Sequence, residues 1–453
     1  MTIQRQEIAQ TAAFRKFFAA LEPAKPFTAV PEDLLVAMAS AITLPDDGKC
    51  VSAIANREPG GAFDPRELEG IPGGSVGYKS TWAVIRYPCY GLDWDITALR
   101  LESLCPDAAK LPWLVVVNGG SANMYEFFTD PLNRPGFGQY LAQHANVLIV
   151  TIPGNFKYGG WTLPVTQRSP QYLLDRDLPP GEISLRNAIY TNRMVFDGLK
   201  RLIVQETRGD ILIIGHSTSG ELAFMAKDDA ELGPRLRGRF LGWGSGGPAS
   251  IRRDWEERKA GAVGTAKSEA INPGLADLRL RNAAEYVADG YVGPLNPCRD
   301  AGMDDLAVAN RWLSLVDRNR PNIKQAMQDL EHRGVANLQP ECEIEIRDLI
   351  AKSGLKVSAE VVFADLFAAN KAPLTGYRRM IWGVAKWDKR HWNKIAPEQA
   401  QELSMVQPFR ENNPEAAIRV QLFDLPITHY GHIERPREVA AGLLGAAYWL
   451  TAS

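Results

Sequence analysis

The chain has 453 residues, enough for two or three domains at roughly 150 residues each, and 45% of them are hydrophobic against 23% charged. That composition excludes disordered, collagen-like and coiled-coil classes. Fifty-one Lys and Arg against 53 Asp and Glu leave a formal charge of −2, so no overall field draws the chain to nucleic acid or an anionic membrane.

Residues 1–79 read as an N-terminal helical extension, with amphipathic stretches at Ala9–Leu21 and Glu32–Ala41 followed by the Gly/Pro-rich run EPGGAFDPRELEGIPGG. From Ser80 the pattern changes to strands: STWAVIRYP, DITALRLE, then the nearly all-apolar runs WLVVVNGG, ANVLIVTIPG and DILIIG. Short apolar runs ending at glycine and separated by helix-length segments predict strands buried on both faces of a parallel sheet, with helices on each side. Ser184 is the predicted N-cap of the helix before DILIIG, and ELAFMAKDDAEL predicts the helix after it. A further strand, RFLGWGSGG, closes the segment 80–247. Residues 248–372 are charged and helical in period without a long buried-strand run, which predicts a helical cap inserted between sheet strands. Strand character returns in 373–453 with YRRMIWGVA and IRVQLFDLP.

The five cysteines are scattered without a C-x-x-C pair, so buried thiols are expected rather than a disulfide framework or zinc site. The polar start lacks the apolar h-region of a secretory signal and no 18 apolar residues run together, so a cytoplasmic protein without a membrane span is expected. No phosphate-binding loop, no G-x-G-x-x-G after a strand and no H-E-x-x-H occurs; no cofactor and no metal are expected.

The sharpest chemical signal is ILIIGHSTSGELAFMAK. A serine projecting from a tight strand-to-helix turn needs small residues two before and two after it, and Gly215 and Ser219 satisfy this around Ser217. The final glycine of the usual G-x-S-x-G is here Ser219. The turn follows a buried strand and precedes a helix, as a nucleophile requires.

On these residues and the strand order, the chain resembles the α/β-hydrolase superfamily over roughly 80–247 and 373–453. The resemblance implies a three-layer α/β sandwich with a mostly parallel sheet and a catalytic set in the order serine, acid, histidine. The segment DLPITHYGHIERPREVAAGLL resembles the family's G-H-x-x-x-x-P run, with Gly431, His432 and Pro436 in place, which makes His432 the expected base and His429 its alternative. The acid usually follows the penultimate strand; Asp388 in MIWGVAKWDKRHW is the candidate, and Asp254 is the alternative if the acid lies one strand earlier. Two oxyanion donors are implied: the Thr218 N–H after the nucleophile, and the Gly120 N–H in VVVNGGSANMYEF, where Asn118 replaces the histidine of the family's H-G-x element. Ser121 and Tyr125 from that loop, with Phe156 and Trp161 from PGNFKYGGW, are candidate substrate-binding residues.

The expectation is a cofactor-independent serine hydrolase acting on an ester, lactone, thioester or amide of a medium-sized, largely apolar organic molecule. A carbon–carbon hydrolase or lyase using the same triad is the alternative, and a non-catalytic binding module the third. The expected partner is a small-molecule substrate rather than nucleic acid or membrane, and a homodimer is left open.

Overall fold

The computed structural model describes residues 7–21, 25, 27–42, 77–119, 125–128, 130, 132, 134–153, 185–186, 188–245, 283–288, 290, 292–296, 299, 301–316, 343–366, 368–388 and 401–452. Nine strands are described: β1 (Phe27–Pro31), β2 (Tyr78–Cys89), β3 (Leu92–Ser103), β4 (Trp113–Val117), β5 (Val147–Thr151), β6 (Ile211–His216), β7 (Arg239–Trp243), β8 (Arg379–Ala385) and β9 (Ala417–Asp424). They form one sheet in the order β1-β9-β8-β7-β6-β4-β5-β3-β2. Strand β3 runs antiparallel to β2 and β5; every other neighbouring pair is parallel.

The apolar runs explain this sheet. In β4, Trp113, Val115 and Val117 face one core with Ile211 and Ile213 of β6, while Leu114 and Val116 face the other with Leu212 and Ile214. Alternate side chains of a strand point to opposite faces, so a strand that is apolar throughout needs cover on both. Helix α5 (Asn192–Glu206) covers the first face through Val195, Leu199 and Leu202; helix α13 (Pro436–Thr451) covers the second through Val439, Leu443 and Leu444. Helix α5 starts later than expected: its N-cap is Thr191, whose hydroxyl accepts the Met194 N–H at 3.0 Å, and Ser184 lies outside the described residues. From β4 the chain passes to β5 on one side and returns to β6 on the other. Such a reversal opens a crevice at the carboxyl ends of the two flanking strands.

The strand order is that of the α/β-hydrolase sheet with one strand added at its far edge. The addition corrects the reading of residues 1–79 as helical. Helices α1 (Ala12–Leu21) and α2 (Glu32–Ala39) are present, but β1 between them pairs in parallel with β9, Phe27 opposite Val420. Proline at the end of β1 is tolerated because an edge strand has one side of its backbone unpaired. Fully buried Leu35 lies so near α13 that a Cβ on Gly442 would meet its Cδ2 at 3.1 Å, and Arg437 Nε donates to the carbonyls of Ala39 and Ile42 at 2.8 and 2.9 Å. A Leu35→Ala variant is expected to lose about 2–5 kcal/mol in denaturant unfolding; a loss under about 0.5 kcal/mol would show the extension to be detachable.

The described parts of 248–372 include four α-helices: α7 (Ala283–Ala288), α8 (Asp305–Val316), α9 (Glu343–Ser353) and α10 (Ala359–Leu366). Helix α10 is tied to the sheet edge by Tyr90, in the β2–β3 turn, whose hydroxyl lies 2.7 Å from both Asp365 Oδ2 and Thr191 Oγ1. That turn has positive φ at both central residues, Tyr90 (53°) and Gly91 (81°), the geometry that matches the twist of two paired strands. Cys89 and Cys105 are free thiols, and burial pushes Cys89 up to about 12; Cys50, Cys298 and Cys342 lie outside the described residues. No helix among the described residues is long and apolar enough to cross a membrane.

Candidate active site

Strand β6 runs fully buried to His216 and then turns into helix α6 (Gly220–Lys227) through a single 3-10 turn, Ser217–Ser219. Ser217 has φ 54°, a left-handed conformation that costs a non-glycine residue energy and aims its side chain out of the turn. The crossing at this turn leaves no room at its base: a Cβ on Gly215 would stand 2.3 Å from the Ser219 carbonyl oxygen and 2.5 Å from the Gly220 nitrogen. Ser219, the departure from glycine, is buried, and its hydroxyl donates to the Asn118 carbonyl at the end of β4. It ties the elbow to the neighbouring loop, a bond glycine could not make.

Asn118 in turn fastens two strand ends, since its Oδ1 accepts the Ile152 N–H at 3.0 Å and its Nδ2 donates to the Gly119 carbonyl at 2.7 Å. Gly119 lies against the elbow; a Cβ there would be 3.0 Å from Ser217 Cβ and 3.3 Å from His216 Nδ1. The expected donor Gly120 and the candidates Ser121, Phe156 and Trp161 lie outside the described residues, as does Asp254. Tyr125 opens helix α3 (Tyr125–Phe128). Thr218 is the first residue after Ser217, within the 3-10 turn.

Asp388 follows β8, is fully buried, and has Oδ2 3.0 Å from Nδ1 of His429, itself 3% exposed. The loops carrying the two are joined by the Trp387 N–H, which donates to the Ile427 carbonyl at 2.9 Å. The expected partner of Asp388 was His432, and this is a correction. His432 sits in a helical turn, α12 (Gly431–Glu434), with no exposed surface, and its Nδ1 accepts the indole N–H of Trp243 at 3.0 Å. Glycine at 431 begins that turn, which directs His432 inward against Phe127 (ring centres 4.9 Å apart) and leaves His429 in the preceding loop. Glu434 braces this loop, accepting the N–H of Thr428 at 2.6 Å and of Gly293 at 2.5 Å; burial pushes its carboxyl up to about 7.

His216 joins the two histidines. Its ring lies 4.6 Å from that of His429 and 4.5 Å from that of His432, and its Nε2 is 3.1 Å from the His429 carbonyl oxygen. Behind it stands Glu126 of α3, fully buried, with Oε1 3.7 Å from His216 Nδ1 and Oε2 3.9 Å from His432 Nε2. Burial works to raise the Glu126 carboxyl, but the two imidazoles together bring it down to about 2. Burial and the neighbouring His216 hold His432 down at about 4, so it is neutral at pH 7. Sequence reasoning did not single out Glu126, although a lone charge inside the aromatic run YEFF was a signal.

A folded-state value of about 4 against an ordinary 6.5 means that acid protonates His432 in the unfolded chain first. Its contribution to stability is therefore lost as pH falls from 6.5 towards 4, at up to about 1.4 kcal/mol per pH unit. Comparing the unfolding free energies of the wild type and His432→Gln across that window should show the wild type losing ground with acid; a pH-independent difference would contradict the neutral, buried assignment.

No family model matches the chain, and no curated protein matches it. Solved structures do. A probable hydrolytic enzyme from Pseudomonas aeruginosa is 12% identical, covering 85% of this chain and 98% of its own, at a TM-score of 0.40. An enol-lactonase from Burkholderia xenovorans is 14% identical over 79% of this chain and 97% of its own, at 0.39. A carboxylesterase structure from Nitrososphaera gargenis is 14% identical over 82% and 99%, at 0.38.

Proposed function

We propose that the chain is a serine hydrolase in which Ser217 is the nucleophile, His429 the general base and Asp388 the acid that orients it. The observation that carries this reading is the buried 3.0 Å contact of Asp388 with His429, in the loop after the last strand, where the His429 ring lies 4.6 Å from that of His216, the residue that precedes Ser217. In the reaction, Ser217 Oγ attacks a carbonyl carbon while His429 Nε2 takes its proton. The Asp388 carboxylate holds Nδ1–H and stabilises the imidazolium that forms. The Thr218 N–H, with the N–H of Gly120 as the second donor, receives the developing oxyanion; each such donor is worth about 3–4 kcal/mol. The leaving group departs with the proton from His429, and water repeats the sequence to release the acyl group.

An ester of a medium-sized, largely apolar acid is the favoured substrate, because an inserted helical cap of the expected size would make an enclosed and mostly apolar pocket. Lactones, thioesters and amides need the same geometry. The test is a panel of p-nitrophenyl esters of increasing acyl length together with a β-diketone. Hydrolysis of esters with a preference for medium chains is expected. Cleavage of the β-diketone with no ester turnover would replace this reading by carbon–carbon hydrolysis.

A further inference from the structure

We propose that Glu126 is a positioning residue that acts through one buried water molecule, shared with His216 and His432, to fix the backbone of the base. The inference rests on the reading of His429 as that base. It begins with the tautomers. An indole N–H only donates, so His432 Nδ1, which accepts from Trp243 at 3.0 Å, carries a lone pair and the neutral ring has its hydrogen on Nε2. A carbonyl only accepts, so His216 Nε2, 3.1 Å from the His429 oxygen, carries a hydrogen, and in the neutral ring its Nδ1 carries the lone pair. One donor (His432 Nε2–H), one acceptor (His216 Nδ1) and a carboxylate thus face one another.

All of these groups are buried, and Glu126 Oε1 and Oε2, His216 Nδ1 and His432 Nε2 have no hydrogen-bond partner among the described residues. The separations of 3.7 and 3.9 Å are too long for direct hydrogen bonds, yet one ligand atom from each of the three residues falls within 4.8 Å of the others. That spacing fits a molecule bonded to all three. A water satisfies three of these four atoms: it accepts from His432 Nε2–H and donates one hydrogen to His216 Nδ1 and one to a Glu126 oxygen, within the usual two to four partners of a buried water. A divalent metal fits less well. It requires a lone pair from each ligand, and His432 Nε2 has none while Trp243 occupies Nδ1.

The consequence reaches the base through a single atom. His216 can donate to the His429 carbonyl only while its hydrogen stays on Nε2, and the bridged carboxylate is what keeps Nδ1 an acceptor. The charge matters too. Among the described residues, the titratable groups around His429 are Asp388 on its Nδ1, His216 across its face, Tyr430 at its edge (ring centres 5.2 Å apart), and, beyond His216, Glu126 and His432. An ionised Glu126 favours the protonated base, so its removal lowers the pKa of the base.

The test combines a crystal structure of the whole chain, refined to a resolution that defines waters, with metal analysis of the same preparation and pH profiles of Glu126→Gln and Glu126→Ala. Expected are a water about 2.7–3.1 Å from all three groups and no stoichiometric metal. In the variants, kcat should fall about 10–100-fold with KM little changed, and the acid limb of the rate profile should move down by about half to one pH unit. A metal bonded at about 2.0–2.2 Å, direct Glu126–histidine hydrogen bonds, or an acid limb unmoved in both variants would overturn the proposal. Should a variant fail to fold, the wild-type density still decides. The triad reading fails separately, by turnover that survives Ser217→Ala.

Discussion

Ser217→Ala is expected to remove essentially all turnover, with kcat falling about 10⁶-fold while the protein keeps its unfolding midpoint. The size follows from the roles: serine, base and acid act as one unit, and losing the nucleophile removes the covalent path, leaving only what binding and oxyanion donors supply. Unchanged stability is expected because the hydroxyl is lost from a half-buried residue whose backbone, at φ 54°, is held by its surroundings. Alanine bears the same strain as serine there. The measurement is kcat on the best ester of the panel beside a thermal melt. A loss below about 100-fold would deny Ser217 the nucleophile's role.

The second large effect separates the two histidines that lie three positions apart. His429→Ala should cost about 10⁴-fold in kcat, and Asp388→Asn a similar factor, because the amide cannot hold the productive tautomer. His432→Gln should cost about 10–100-fold, since His432 reaches the chemistry only through His216. Steady-state kinetics on the three variants decides the order. A greater loss in His432→Gln than in His429→Ala would restore the assignment that the family resemblance implied.

That reversal shows what the amino-acid sequence could and could not reveal. The eight strands from STWAVIRYP to RFLGWGSGG and on to YRRMIWGVA and IRVQLFDLP announced themselves because a run such as WLVVV has no polar face to offer solvent. The elbow was equally legible, for Gly215 and Ser219 are dictated by a crossing too tight for larger residues. Asp388 was found at the end of its strand. Strand β1 escaped because FTAVP is short, flanked by proline and only partly buried; its structure comes from pairing with β9, nearly four hundred residues away. His432 was favoured over His429 because Gly431 and Pro436 frame it, yet that glycine starts the turn that buries it against Trp243 and Phe127. Glu126 belongs to the same class of omission: its importance comes from what α3 packs against, which no local pattern records.

The central claim is that one serine is activated by His429, and reaction with a fluorophosphonate reads this directly. Intact mass and peptide mapping should give a single adduct on Ser217, formed at least about 10³-fold more slowly in His429→Ala and about 10–100-fold more slowly in His432→Gln. An adduct on any other residue, or labelling of Ser217 at an unchanged rate in His429→Ala, would contradict the account.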